Sequence, residues 1–369
     1  MRKLTLLTNG PGELWGWVRP LLRELGKRGI SATIALLPCQ FACGEEERIA
    51  EALGARRVLP PPSSLGDLGR LAGEARNTDC IVQLGGDLLW GRMMARLGGV
   101  PLLCYAYGKK RGMGSCSGVY TAFPSMAEGI PGATAVGDLV ADDLELQGES
   151  SAVLAGGGRP LVAFFPGSRE NIRILALPFF RRMKEALEGQ FPAMGSRILL
   201  SPFARTDEEH LWKDAGFFPV RGGEEGAFSG VDFAVTQPGT NTLELLHRGI
   251  PFLTLVPFSA LKTVPLNGLV GLAVSLPLVG ESLRNSLLRA KGRKAGFLAW
   301  PNRLAGRELV DEMIGEFSPE EAAARTASRL RDRPWLAGTR KTLTALSRFA
   351  PPGAARRLSD EIERMSLPR

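Results

Sequence analysis

Two glycine-bearing turns combine residue types suited to holding an anion. Phe164–Glu170 reads FFPGSRE, and Thr236–Glu244 reads TQPGTNTLE. Each follows a short apolar run and leads into a helical pattern. That is where a parallel α/β sheet offers backbone N–H groups and a helix N-terminus to a phosphate. Gly167 lets the backbone turn and approach such a group, Ser168 can cap the next helix or donate a hydrogen bond, and Arg169 brings a planar fork that matches phosphate oxygens. In the second turn Gly239, Thr240 and Thr242 repeat these roles. Glu244 has two readings: an acidic residue in a first helical turn favours the helix dipole, and a carboxylate accepts two ribose hydroxyl protons equally well. Plain strand-to-helix connections would use the same residues. Their recurrence within one half of the chain points instead to a nucleoside diphosphate held between them.

Such turns need a parallel sheet behind them, and the chain supplies its pieces. Runs at Leu4–Thr8, Ala32–Leu37, Cys80–Leu84 and Pro101–Ala106 are almost continuously apolar, as strands buried on both faces are. After the first run, Val18, Leu21, Leu22 and Leu25 fall on one helical face. Leu161–Pro166 restarts the alternation, followed by a helix bearing Phe179, Phe180, Met183 and Leu187. Further strands are expected at Arg197–Ser201, Asp232–Thr236 and Pro251–Val256. Leu358, Ile362 and Met365 mark a last amphipathic helix after Pro351-Pro352-Gly353. A chain of 369 residues is long for one core, and the Gly/Ser-rich Gly148–Pro160 reads as a linker. The expected fold is α/β, with two doubly wound, Rossmann-like domains facing a cleft. Residues 1–150 would form the N-terminal domain and 158–338 the C-terminal one, with helices in 339–369 packing back on the first.

The net charge of +8 suits phosphorylated ligands, nucleic acid or an anionic membrane. No zinc-finger spacing, aromatic RNP-like run or long Lys/Arg stretch is present, so nucleic acid is not an expected partner. Cys39, Cys43, Cys80, Cys104 and Cys116 are odd in number and lack a completing metal set, which fits a reducing, cytoplasmic compartment. His210 lies in a charged stretch, and His247 follows Leu245-Leu246. His210 reads as solvent-facing and His247 as packing or capping a helix, and Asp142-Asp143 reads as a helix start rather than a metal pair. No metal cofactor is expected. The apolar run Leu4–Leu7 is cut off by Asn9–Gly12, too early for a signal h-region. Val264–Gly280 is interrupted by prolines and glycines, unlike a spanning helix. Beside Arg284, Arg289, Lys291, Arg293 and Lys294 it reads either as a surface resting on an anionic membrane or as buried helices with a solvated basic face.

The two turns resemble the donor-binding half of bacterial lipid-A-disaccharide synthase, an inverting glycosyltransferase family of two-domain GT-B architecture. That family carries a PGSR turn and a later SGT-x-T-L-E turn, matched here by Pro166–Arg169 and by Pro238–Glu244. Gly12-Glu13 is similar to its N-terminal Gly-Glu turn. Val136–Asp142 resembles its V-G-x-P-L-x-D segment, and Trp300–Ala305 with Glu312 resembles its L-P-N stretch and downstream glutamate. The likeness is strong over residues 161–325 and weaker before 130. Departures fall in the first half: Leu14-Trp15-Gly16 replaces Ser-Gly-Asp, Leu84–Leu89 (LGGDLL) replaces D-x-P-D-F-N, and Tyr107–Arg111 replaces a Trp-rich loop.

The resemblance implies a metal-independent hexosyltransferase that moves an acylated, glucosamine-type sugar from a UDP-sugar to a phosphorylated, lipid-linked acceptor, releasing UDP. The enzyme would be cytoplasmic, on the membrane's cytoplasmic face. Gly167, Ser168, Arg169, Gly239, Thr240, Thr242 and Glu244 would hold the donor, with Asn302 near its sugar or diphosphate. An inverting transfer needs one base, and Asp87, closing an apolar strand after Gly85-Gly86, is the candidate. It reads equally as a helix N-cap, and Glu13 competes for the same role. Lys109, Lys110 and Arg111 would meet an acceptor phosphate. Two other functions fit the same chain: a UDP-sugar 2-epimerase, and a non-catalytic nucleotide-sugar or lipid-binding protein.

Overall fold

The computed structural model describes residues 3–39, 44–147, 159–257 and 296–366. The stretch Val264–Gly280, the basic residues after it, Cys43 and most of the Gly148–Pro160 linker lie outside the described residues. The chain divides into two compact units, residues 1–149 with 347–369, and residues 150–346.

Unit 1 is built on seven parallel strands in the order β3-β2-β1-β4-β5-β6-β7. They are β1 (Lys3–Thr8), β2 (Ser31–Leu36), β3 (Arg57–Leu59), β4 (Cys80–Leu84), β5 (Leu102–Tyr105), β6 (Gly118–Thr121) and β7 (Ala133–Ala135). Helices α1 (Arg19–Lys27), α2 (Glu46–Ala52), α3 (Leu65–Arg76), α4 (Leu88–Gly98), α5 (Pro124–Glu128) and α6 (Leu139–Gln147) make the connections. Because the central strands are covered on both faces, Leu6, Leu7, Ile34, Ile81, Val82 and Leu103 are all sealed from solvent. A capping box at Ser64 and Asp67 starts α3. Gly99, at φ 65°, ends α4.

Unit 2 repeats the plan with six parallel strands in the order β10-β9-β8-β11-β12-β13. These are β8 (Leu161–Phe164), β9 (Gly195–Leu200), β10 (Phe218–Arg221), β11 (Phe233–Thr236), β12 (Phe252–Pro257) and β13 (Asp311–Gly315). Its helices are α7 (Glu170–Glu188), α8 (Thr206–Asp214), α9 (Asn241–His247), α10 (Trp300–Ala305), α11 (Pro319–Arg331) and α12 (Arg333–Ser347). One sheet face packs Val162, Phe164, Ile198, Leu200 and Val235 against Phe180, Met183 and Leu187 of α7, Trp212 of α8 and Ala323 and Ala327 of α11. No helix forms between β10 and β11. Arg197, 1 % exposed, instead gathers the carbonyls of Ala227 (2.7 Å) and Ser229 (3.0 Å), groups a helix would have satisfied internally.

The last helix, α13 (Ala354–Met365), returns to unit 1. Its N-terminal amides at Gly353, Ala354 and Ala355 all donate to the buried carboxylate of Asp142 on α6. Arg28, just past α1, pairs with its Asp360 (2.7 Å) and Glu363 (2.9 Å). The chain crosses back near residue 347, because α12 stays with unit 2. There Gly249 leaves α12 room: a Cβ at that position would lie 2.6 Å from Thr344 Oγ1.

Candidate functional site

In each unit the strand order reverses between two neighbours, β1 and β4 in unit 1 and β8 and β11 in unit 2. Ligands of doubly wound sheets lodge at the carboxyl ends of such strands. All the proposed site residues except Asn302 follow the carboxyl end of a strand in one of the two sheets.

In unit 2, the amide of Phe165 donates to Val235 O at 2.8 Å, which carries the β8–β11 pairing into the turns. Gln237 Nε2 then donates to Pro166 O at 3.0 Å, so the two glycine turns are adjacent and tied together. Gly167 sits at φ 111°, a region closed to L side chains, and a Cβ there would lie 3.3 Å from both Gln237 Oε1 and Ile172 Cγ2. Gly239, at φ 154°, would meet nothing within 4 Å. Ser168, Pro238 and Gly239 are exposed, while Arg169, Thr240 and Glu244 are half-buried. The neighbourhood is open to solvent. Neither Ser168 nor Thr240 caps a helix with its side chain. Their hydroxyls therefore have no capping duty.

Two expected donor contacts are placed differently. Thr242 is fully buried: its Oγ1 donates to Gly239 O at 2.8 Å and accepts from Trp300 N at 3.2 Å. It fastens the start of α10 to the second turn. Asn302 is also sealed, with Nδ2 donating to Val310 O and Glu312 Oε1, both at 2.8 Å, and Oδ1 accepting from Leu309 N (2.7 Å) and Val310 N (3.0 Å). Its amide has no capacity left for a ligand. Glu312 in turn accepts from Leu298 N (2.9 Å) and Ala299 N (2.9 Å). These residues support the turn from behind.

In unit 1 the turn after β4 rests on a buried glutamine. Gln83 donates from Nε2 to Gly85 O (3.0 Å) and Asp87 O (2.8 Å), and its Oε1 accepts from Gly91 N (3.2 Å). Gly85 and Gly86 both have positive φ, 91° and 67°. A Cβ on Gly85 would come within 3.0 Å of Glu13 Cγ, and one on Gly10 within 2.4 Å of Glu13 Oε2. The Glu13 carboxylate thus lies against the ends of β1 and β4, half-buried and without a hydrogen bond or ion pair among the described residues. Asp87 is exposed and N-caps α4, accepting from Leu89 N at 2.9 Å. The capping reading of Asp87 is realised, and the better-enclosed carboxylate is Glu13.

The basic triplet after β5 splits. Lys109 and Arg111 are exposed, whereas Lys110 turns inward and donates to Gly86 O at 2.8 Å. Burial pulls the Lys110 ammonium below its ordinary pKa, with Cys104, Glu13 and Asp87 opposing. Beside it, Tyr107 donates to Asp138 at 2.6 Å and accepts from Trp17 Nε1 at 2.9 Å. Trp17 is presented by a π-helical turn, Leu14–Val18, directly after Glu13.

Gln83, Gln237 and Tyr107 escaped the sequence reading. A signal was available for the first two: Gln83 is a polar residue set in an apolar strand run and Gln237 directly follows one, each just before a glycine turn. Among the described residues no cluster of His, Cys, Asp and Glu is arranged to hold a metal ion. No described helix is long and apolar enough to cross a membrane.

The architecture is that of the two-domain GT-B proteins. MurG of Acinetobacter baumannii is similar over 99% of this chain and 100% of its own, at TM-score 0.56 and 14% identity. The UDP-GlcNAc 2-epimerase of Neisseria meningitidis, bound to UDP-GlcNAc, is similar over 99% and 100%, at TM-score 0.58 and 12% identity. The glycosyltransferase VinC, in complex with dTDP, is similar over 99% of both chains, at TM-score 0.56 and 11% identity. In sequence, a lipid-A-disaccharide synthase of Gluconobacter oxydans (strain 621H) is 26% identical over 202 residues, 52% of this chain. The match spans 42% of that relative's length. No family model matches the chain.

Proposed function

We propose that the protein is a glycosyltransferase resembling lipid-A-disaccharide synthase, moving a hexosamine-type sugar from a UDP-sugar to a phosphorylated, lipid-linked acceptor. The observation that carries this reading is the pair of glycine turns at the unit 2 strand reversal, joined by Gln237 and open to solvent. Loop amides, Ser168, Thr240 and Arg169 hold the diphosphate, and Glu244 takes the ribose hydroxyls. In the transfer, an acceptor hydroxyl oxygen bonds to the anomeric carbon as the bond from that carbon to the UDP oxygen breaks. Glu13 takes the hydroxyl proton. The negative charge arriving on UDP is met by Arg169 and the turn amides. Lys110, held at Gly86 O, lies within electrostatic reach of Glu13.

A lipid-linked acceptor is supported by the outer side of unit 1. Leu89, Met93 and Leu97 are exposed one turn apart along α4, and Leu65 and Leu68 are exposed on the neighbouring α3. Arg92 and Arg96 share α4, and Arg92 packs against Gly112 in the loop that carries Lys109 and Arg111. An apolar stripe edged with cations suits an anionic bilayer surface.

An epimerase remains the second reading, since a UDP-GlcNAc 2-epimerase shares the fold at TM-score 0.58. A thermal-shift survey of nucleotide-sugars, followed by NMR of the preferred one incubated without acceptor, separates the two. The transferase reading expects one UDP-sugar to stabilise the protein selectively and to keep its C2 configuration. Inversion at C2 would establish the epimerase, and an equal response to any phosphate would remove both.

A further inference from the structure

The turn bearing Gly167 and Arg169 is anchored from two sides, both times through its carbonyls. Gln237 holds Pro166 O at 3.0 Å, and Arg173 Nη1 donates to Ser168 O at 2.7 Å. Both peptide units are trans, the cis bond among the described residues being Arg159-Pro160. A trans peptide sets the C=O of one residue and the N–H of the next on opposite sides of the chain. With the carbonyls of Pro166 and Ser168 drawn toward Gln237 and Arg173, the N–H groups of Gly167 and Arg169 are turned away from Gln237 and Arg173 respectively.

Arg173 is in no position to bind a phosphate itself. It is 3 % exposed, and its Nε and Nη2 grip the two oxygens of Glu208, which is 2 % exposed. Glu208 comes from α8, on the far side of strand β9 in sequence. A buried ion pair of this kind gives little net stability over a well-packed apolar pair. It does something apolar side chains cannot: Glu208 cancels the charge and fixes the plane of the guanidinium, leaving Nη1 aimed at one backbone carbonyl.

We infer that Arg173 and Glu208 are positioning residues that preset the first glycine turn to receive the donor's diphosphate. This rests on the nucleotide-sugar reading above. Neither residue touches the nucleotide; both act through the Ser168 carbonyl.

The test measures UDP affinity by calorimetry, well below every melting temperature, for full-length wild type, Arg173→Lys, Arg173→Glu and the exchange Arg173→Glu/Glu208→Arg. The exchange re-forms the ion pair, but a glutamate at 173 cannot donate to Ser168 O. It is expected to recover the melting temperature lost in Arg173→Glu while binding UDP at least tenfold more weakly than wild type. Arg173→Lys, which replaces the fork by a single ammonium, is expected to lose affinity similarly and decides the matter should the exchange variant not fold. Recovery of affinity together with stability in the exchange, or wild-type affinity in Arg173→Lys, would overturn the inference and leave the donor reading standing. A wild-type protein that binds no UDP would overturn both.

Discussion

Replacing Gly167 by alanine isolates the first turn from the rest of the molecule. At φ 111° an alanine is strained whatever the space around it, and its Cβ would also press at 3.3 Å on Gln237 Oε1 and Ile172 Cγ2. A residue forced into such a sparsely populated region costs about 1–3 kcal/mol. For a unit of this size each kcal/mol lowers the melting temperature by about 2–4 °C, so a loss of about 2–12 °C is expected. The new Cβ also pushes the turn off its Gln237 contact and misplaces the amides. A loss of similar size is therefore expected in UDP affinity, roughly 5- to 150-fold at 1.4 kcal/mol per factor of ten. The control is Gly306→Ala at the carboxyl end of α10, where φ is 65° and nothing lies within 4 Å of a new Cβ. That variant carries about 1–2 kcal/mol of left-handed strain and should melt lower with unchanged affinity. Calorimetric titration with UDP reads the difference. Equal affinity in wild type and Gly167→Ala, with a lowered melting temperature in the latter, would refute the assignment of this turn to the donor.

Glu13→Gln should lower turnover by about 10²–10⁴-fold, the range a positioned base supplies, with UDP affinity retained. Asp87→Asn keeps a good N-cap and should retain most turnover; the opposite ranking in steady-state assays would return the base role to Asp87. Asp311 is raised by burial, but forked pairing with Arg329 and Arg325 overcomes this and holds its carboxyl below the usual carboxylate range. Its contribution is therefore full above the unfolded carboxylate pKa of about 3.9 and lost as pH falls through the lower folded value. Acid unfolding followed by circular dichroism should show a smaller loss below about pH 4 in Asp311→Asn than in wild type; identical acid profiles would refute it. Changing Leu89, Met93 and Leu97 together to serine should abolish sedimentation with vesicles containing anionic phosphatidylglycerol and leave UDP affinity untouched. Undiminished sedimentation would place membrane contact elsewhere.

The parts of the fold legible in the sequence are those whose cause is local. Buried central strands such as Cys80–Leu84 and Phe233–Thr236 show as nearly continuous apolar runs, because both faces are covered. Outer strands do not. Arg57–Leu59 and Ala133–Ala135 have three residues each, Phe218–Arg221 carries a proline tolerable only at a sheet edge, and Asp311–Gly315 opens with two carboxylates. The glycine turns were visible because backbone freedom at Gly167 is a property of the residue itself. The support beneath them was not, since Arg173 and Glu208 are 35 positions apart and meet only through the fold. Asn302 and Thr242 show the opposite failure. Their chemistry suits a ligand, and only their burial and full set of partners reveal that they serve the backbone. Asp87 and Glu13 could not be ranked from sequence, because both follow glycine at a strand end and differ only in what encloses them.

The central claim, that the paired turns of unit 2 hold a nucleoside diphosphate, is tested most directly by following backbone amide resonances while UDP is added. Saturable shifts centred on Gly167, Ser168, Gly239 and Thr240 are predicted. Saturable binding that leaves those four amides unmoved would contradict the account.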